Sequence, residues 1–152
     1  MTLLDYAERA GIENLKERSQ NADAIHKEAN TLLALILSGA GAALYFSANE
    51  SSLAALIVSF WLFCVALILA TKCLLFRDYP PVWNEPKNLT PEGYTLDEVR
   101  GFEIQNLQQR IEQATASNYT TSSWLNKCIL AACATPLIGI IAWAVFAPGF
   151  FA

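Results

Sequence analysis

The chain has 152 residues, of which 54% are apolar and 16% are charged, and its formal net charge is −4. Its mean hydropathy of +0.31 is too high for an ordinary soluble domain. The acidic balance excludes a nucleic-acid-binding protein, because such a protein needs a basic surface to meet phosphates. We therefore expect a membrane protein with no nucleic-acid partner.

Residues 1–30 predict a polar cytoplasmic helix and not a signal peptide, because charged residues replace the apolar core that a signal peptide needs. Thr2 and Asp5 have the spacing of a capping box, in which each residue satisfies an amide at the helix start. Apolar residues at helical spacing form one thin seam: Ile12, Leu15, Ala22, Ile25 and Ala29. This seam packs either on the later cytoplasmic helix or on the membrane surface.

Residues 31–76 predict a transmembrane hairpin. No charged residue lies between Thr31 and Phe46, or between Leu53 and Thr71. Roughly 20 apolar residues in a helix cross the hydrocarbon core of a bilayer, so the first segment is near the short limit and the second is long enough. The short connection Ser47–Ser52 permits only an antiparallel pair.

Residues 77–94 predict a cytoplasmic linker, since Pro80, Pro81 and Pro86 exclude a helix there. Residues 95–124 predict a cytoplasmic helix that begins with a capping box at Thr95 and Glu98. The polar stretch 117–123 either interrupts this helix or continues it. Residues 125–152 predict a third transmembrane helix, kinked at Pro136, and an outer tail.

Small residues on the first and third spans predict close helix packing. In lipid, close approach of backbones is a main source of helix association, so we expect a homo-oligomer or a partner membrane protein within the bilayer. The predicted packing residues are Ser38, Gly39, Ala42, Ala43, Ala131, Thr135 and Gly139. Aromatic side chains favour the membrane–water interface, and the predicted anchors are Tyr45, Tyr79, Trp83, Trp124 and Trp143.

The basic residues predict the orientation of the chain. All ten fall on one side of a three-span arrangement: Arg9, Lys16, Arg18, Lys27, Lys72, Arg77, Lys87, Arg100, Arg110 and Lys127. Lysine and arginine accumulate on the cytoplasmic side, so the N-terminus is expected in the cytoplasm and the C-terminus outside. The predicted fold class is an all-α integral membrane protein.

The chain lacks the sequence patterns of an enzyme or a cofactor-binding protein. It has no glycine-rich phosphate loop, no ligand-spaced Cys/His cluster and a single histidine, His26. We expect no catalysis, no metal and no cofactor. The four cysteines are interpreted as apolar packing residues. Arg100 and Arg110 are the candidates for binding an anionic small-molecule signal, and the alternative is that both are solvated surface charges.

Three stretches carry a resemblance to a known group of proteins. They are the entry to the first span (residues 22–33), the Leu107–Ile111 segment of the cytoplasmic helix, and the pair Asn118-Tyr119 before the last span. This order resembles the Pycsar transmembrane effectors and the related SLATT proteins of bacterial anti-phage systems. The resemblance implies an inner-membrane oligomer that answers a cytoplasmic signal by impairing the membrane.

Two other functions fit the same pattern of spans. An accessory or scaffold subunit of a larger membrane complex would use the same small faces to bind its partner. A phage holin has a similar size, but three-span holins place the N-terminus outside, opposite to the orientation expected here. We rank the effector first, the scaffold second and the holin third.

Overall fold

The computed structural model describes residues 2–75, 79–81 and 93–146, and these residues contain helices and no strand. The all-α prediction is therefore confirmed. Predicted features that lie outside the described residues include Trp83, most of the linker and the tail 147–152. The elements are α1 (Leu3–Glu50), α2 (Leu53–Leu69), a π turn (Ala70–Leu74), α3 (Leu96–Cys133) and α4 (Thr135–Phe146).

Three helical stretches among the described residues are long and apolar enough to cross a membrane: Leu3–Glu50, Leu53–Leu74 and Leu96–Phe146. Two of them are longer than a span needs, because each joins a polar part to an apolar part without a break. Helix α1 continues through Asn30, and α3 continues through the polar stretch 117–123. The alternative in which that stretch extends the helix is therefore the one observed.

The chain divides into two compact units. The polar unit comprises Met1–Ala24 and Phe76–Thr120, and the apolar unit comprises Ile25–Leu75 and Thr121–Ala152. The polar unit carries seven basic and twelve acidic residues. The apolar unit carries three lysines and two glutamates. Most of the charged residues therefore lie in the polar unit.

Both helix starts in the polar unit are capped as the sequence predicts. The Thr2 amide donates to Asp5 Oδ2 at 2.8 Å, and the Asp5 amide donates to Thr2 Oγ1 at 3.2 Å. The Thr95 amide donates to Glu98 Oε2 at 2.8 Å, with the Glu98 amide 3.4 Å from Thr95 Oγ1. The hydrogen bonds from Thr95 to the Glu98 carboxylate hold the pKa of Glu98 below its usual range, and the bond from the Thr95 amide contributes most. Both capping boxes are confirmed.

A small leucine–alanine core joins the two helical parts of the polar unit. Leu15 and Ala114 are fully buried and Leu107 is nearly so, with Ile12 packed against them. The first part of the apolar seam therefore packs on the later helix. Gly11 permits this contact, because a Cβ there would lie 2.3 Å from Leu107 Cδ2.

The core of the apolar unit combines side chains from α1, α2, the π turn and α3. Among the described residues, long-range hydrogen bonds from side chains to backbone carbonyls cross it. Ser59 Oγ donates to the Ala40 carbonyl at 2.9 Å, and Trp61 Nε1 donates to the Ala131 carbonyl at 3.2 Å. Cys73 Sγ lies 3.7 Å from the Thr121 carbonyl. The buried members are Ala29, Ile36, Ala40, Leu62, Val65, Ala66, Leu69, Cys73, Leu125 and Cys128.

The connection between α1 and α2 is shorter than the sequence predicts. It consists of Ser51, in the left-handed region with φ 52°, and Ser52, which caps α2. Helix α1 extends to Glu50, and two polar side chains near this end donate to backbone carbonyls. Asn49 Nδ2 donates to the Tyr45 carbonyl, and Ser47 Oγ donates to the Ser52 carbonyl, each at 3.0 Å.

The helical path of the third apolar stretch is interrupted at Ala134, two residues before Pro136. Proline has no backbone N–H, so the carbonyl four residues before it loses its helical donor. Hydrogen bonding continues on both sides, from the Ala134 amide to the Leu130 carbonyl and from the Ile138 amide to the Ala134 carbonyl. The interruption agrees with the kink expected at this proline.

Candidate functional site

A groove of about 470 Å³ lies in the apolar unit, between α1, α2 and the α3–α4 junction. Its walls are apolar side chains such as Leu32 and Val58. Small residues keep it open on both sides: Gly39 on α1, and Ala132 and Gly139 on the α3–α4 side. We call this the small-residue groove.

The two glycines of the groove also bring their helices close to α2. A Cβ at Gly39 would lie 3.4 Å from Leu62 Cδ1, and one at Gly139 would lie 3.6 Å from Val58 Cγ2. The first distance is tight and the second is an ordinary van der Waals contact. Two other predicted packing residues, Ala43 and Ala131, are half-buried.

The remaining predicted packing residues of α1 lie on its outer surface. Ser38 and Ala42 are exposed, and Ser38 Oγ donates to the carbonyl of Ala34 on its own helix at 2.8 Å. Gly41 is also exposed, and a Cβ there would meet nothing within 4 Å. We call Ser38, Gly41 and Ala42 the exposed α1 stripe. Of the seven predicted packing residues, three line the groove (Gly39, Thr135 and Gly139), two lie on the open face (Ser38 and Ala42), and Ala43 and Ala131 belong to neither set.

Thr135 lines the small-residue groove, and its hydroxyl is buried without a hydrogen-bond partner among the described residues. A helical threonine usually bonds to the carbonyl four residues earlier. Here that carbonyl belongs to Ala131, and it already accepts the Trp61 indole N–H. An unsatisfied hydroxyl in apolar surroundings costs about 1–3 kcal/mol, so a new acceptor at this place would stabilise the helix.

Arg100 is bound by two carboxylates of the polar unit. Its Nη2 lies 2.5 Å from Asp5 Oδ1 and 3.0 Å from Glu8 Oε2. The Thr2 amide and the Arg100 guanidinium together lower the pKa of Asp5 from 3.8 to about 2. The carboxylate of Asp5 and, to a smaller extent, that of Glu8 raise the pKa of Arg100. An anion that binds Arg100 must compete with two acids already in place.

Arg110 is held in a similar way. It forms an ion pair with Glu103 and donates to the carbonyls of Asn106 and Pro81, at 3.3 and 3.2 Å. Its side chain is only 12% exposed. Arg110 is therefore largely covered within the polar unit, whereas Arg100 is 29% exposed and forms its ion pairs at the surface of that unit.

The predicted aromatic anchors have different surroundings. Tyr45 and Trp143 are exposed, and their place at a membrane interface stays a prediction. Tyr79 is half-buried in the polar unit, where burial raises the pKa of its hydroxyl and Asn118 Nδ2 lies 3.5 Å from it. Trp124 is half-buried beneath two lysine side chains.

No group of metal-ligating side chains occurs among residues 2–75, 79–81 and 93–146. Comparison of the chain with protein-family models, with curated proteins and with solved structures returns no match.

Two contacts in the structure were not predicted from the sequence. Ser59 is buried and donates a hydrogen bond to α1. The indication available in the sequence was a small polar residue within the bulky second span. The partners of Arg100 are Asp5 and Glu8, which lie more than 90 residues away in sequence. Their spacing of three residues on one helix face was the corresponding indication.

Proposed function

We propose that this chain is a small integral membrane protein of the bacterial inner membrane that assembles into a homo-oligomer and perturbs the bilayer in answer to a cytoplasmic signal. The observation that carries the proposal is the small-residue groove with the unsatisfied Thr135 hydroxyl. An apolar groove that contains a buried hydroxyl without an acceptor favours a neighbouring helix as its occupant.

The occupant that we propose is the exposed α1 stripe of a second copy. Ser38, Gly41 and Ala42 present no large side chain, so a facing helix can approach the α1 backbone closely there. The groove and the stripe are different surfaces of the same chain. A contact between different surfaces is heterologous and builds rings when its rotation closes. A ring of spanning helices is an assembly able to impair a membrane.

The orientation in this proposal places the N-terminus in the cytoplasm and the C-terminus outside. It is supported by the lysines and arginines, which avoid the α1–α2 connection and the residues after Lys127. The polar unit then faces the cytoplasm and receives the signal. No chemical step is assigned to the protein, so we propose a non-enzymatic effector of the anti-phage type.

A matched set of glycine variants tests the assembly. Gly139→Leu fills the groove, and Gly41→Leu blocks the stripe at a position where an added side chain meets open space. We expect each purified variant to be monomeric in detergent by light scattering, while the unaltered chain is larger. Gly101→Leu, in the polar unit and also facing open space, is the control that stays oligomeric.

Mixing the two variants separates a heterologous contact from a general loss of packing. The Gly41→Leu copy keeps its groove and the Gly139→Leu copy keeps its stripe, so the mixture should form dimers and nothing larger. Monomers in the mixture would contradict the proposed contact. Unchanged assembly of both single variants would exclude the groove as an interface.

Expression of the full chain in bacteria with a membrane-potential dye tests the effector activity. We expect depolarisation by the unaltered chain and none by the Gly139→Leu variant at equal membrane content. A silent membrane together with a monomer in detergent would instead favour an accessory subunit whose groove accepts a helix of another protein.

A further inference from the structure

A second groove, of about 410 Å³, lies in the apolar unit between α1 and α3. Residues four apart share one face of a helix, so Lys27, Thr31 and Leu35 line it along α1. Leu125 and Ile129, also four apart, line it along α3. The groove therefore follows α1 lengthwise for about two turns. We call it the α1–α3 groove.

This groove is charged at one end and apolar along the rest of its length. Lys27 and Glu28 lie at the charged end, and both are exposed. They are the last charged residues of α1 before Glu50. The apolar part is lined by larger side chains: Leu32, Leu35, Leu125 and Ile129. An elongated ligand with a charged head and an apolar tail complements this order.

The two charges at this end have opposite signs and are not neutralised by the protein. Neither Lys27 nor Glu28 has an ion-pair partner among the residues that the structure describes. The two residues are consecutive, so their Cα atoms are only about 3.8 Å apart. The nearby Thr31 hydroxyl already donates to the Lys27 carbonyl at 3.0 Å. A headgroup with an anion and a cation at neighbouring positions therefore complements this end of the groove.

Phosphatidylethanolamine has a headgroup of this kind. Its phosphate complements the Lys27 ammonium, and its primary ammonium can donate a hydrogen bond to the Glu28 carboxylate. Phosphatidylglycerol has the phosphate but no cation for Glu28. In a bilayer, a lysine at the end of an apolar segment extends its amine to the level of the headgroups, which leaves the apolar part of the groove among the acyl chains.

We propose that the α1–α3 groove of each chain binds one phosphatidylethanolamine molecule of the surrounding bilayer. The phosphate pairs with Lys27, the amine pairs with Glu28, and an acyl chain lies along Leu35 and Ile129. The inference rests on the membrane location in the proposed function. The α1–α3 groove shares Leu32 and Leu35 with the small-residue groove, so the lipid lies beside the proposed contact between copies.

Native mass spectrometry of the full-length protein tests the headgroup contacts. The protein in detergent is given equal amounts of phosphatidylethanolamine and phosphatidylglycerol with identical acyl chains, and the ratio of the retained lipids is measured. An exposed ion pair changes an equilibrium by up to about fivefold, so Glu28→Gln should lower this ratio about two- to fivefold. Glu50→Gln should leave it unchanged, because it removes the other acid of the apolar unit, which is exposed outside the groove.

A ratio that Glu28→Gln leaves unchanged, or that Glu50→Gln lowers equally, would overturn the proposal. Lys27→Gln should lower the retention of both lipids, because both carry the phosphate. Unchanged retention in Lys27→Gln would contradict the phosphate contact.

A pair of tryptophan variants tests the acyl-chain part of the groove without changing any charge. Ile129→Trp fills the groove and should lower the lipid ratio to the value of Glu28→Gln. Leu130→Trp is the matched control on the next residue, whose side chain is 70% exposed and does not line the groove. It should keep the ratio of the unaltered chain. A lipid ratio that is equal in the two tryptophan variants would contradict binding in this groove.

Two further measurements separate this site from the proposed function. Flotation with phosphatidylcholine vesicles reports membrane insertion. Failure to float would overturn the membrane protein and the lipid site together, whereas flotation with a ratio insensitive to Glu28→Gln would overturn the lipid site alone. Gly139→Leu removes the proposed contact between copies and should keep the ratio. A fall of the ratio in that variant would overturn a lipid site within each chain.

Discussion

The polar unit and the apolar unit are both built from helices, but they use different interactions to hold those helices together. In the polar unit, long-range polar contacts include ion pairs between side chains, such as Arg100 with Asp5. In the apolar unit, the donors Ser59 and Trp61 reach backbone carbonyls on other helices. Water solvates an ion pair in the first environment, whereas in a bilayer a neutral donor and a carbonyl satisfy each other without charge.

A variant of the leucine core tests whether buried apolar side chains stabilise the polar unit in addition to its ion pairs. Leu15→Ala should cost about 2–5 kcal/mol, because a fully buried leucine is replaced by a cavity. Amide hydrogen exchange of the full-length protein in detergent would show faster exchange in the polar unit. Leu96→Ala, at a side chain that is 74% exposed, should leave exchange unchanged. Equal exchange in both variants would mean that charge alone holds this unit.

A variant of Ser59 tests the hydrogen bond between helices in the apolar unit. Ser59→Ala removes the donor to the Ala40 carbonyl and should destabilise the unit by about 0.6–1.7 kcal/mol. Unfolding of the detergent-solubilised protein in sodium dodecyl sulfate, followed by tryptophan fluorescence, measures the change. Thr31→Val is the control, since that exposed hydroxyl bonds within its own helix, to the Lys27 carbonyl at 3.0 Å, and lies outside the exposed α1 stripe. Equal unfolding of Ser59→Ala and Thr31→Val would contradict a stabilising role for the bond between helices.

The smallest effect is expected from pH. The pKa of Asp5 is lowered from 3.8 to about 2 in the folded chain, so its contribution to stability is complete above pH 3.8 and is lost as pH falls towards 2. Arg100→Gln should move the pKa part of the way back to 3.8, because the Thr2 amide still bonds to the carboxylate. Carbon-13 NMR of the Asp5 carboxyl measures this. No movement would assign the whole shift to Thr2.

The sequence predicted those features of the fold that depend on local patterns. Uncharged stretches predicted three apolar helices, and the spacing of Thr95 and Glu98 predicted a helix start with its hydrogen bonds. Residues far apart in sequence were harder to pair, as the contact between Arg100 and Asp5 shows.

The small residues of the candidate site were identified by spacing, but their division between a groove and an open face was not. Spacing places Ser38 and Gly39 next to each other, whereas only the packing of α2 determines which of them is covered. In the structure Gly39 lines the groove and Ser38 is exposed. A one-dimensional pattern gives the faces of a helix and leaves its neighbours undetermined.

The π turn at Ala70–Leu74 affects how the chain tolerates a change in its length. The Leu75 amide bonds to the Ala70 carbonyl at 2.9 Å, five residues back instead of four. Such a turn contains one residue more than an α-helical turn. Deleting Thr71 would leave an α-helical turn in place of the π turn, and the helix would still end at Leu75, where the backbone is extended with ψ 136°. A deletion within α2 would instead rotate the helical residues that follow it by about 100°. The end of the second apolar helix is therefore a place where the protein can lose a residue without rotating a long helical segment.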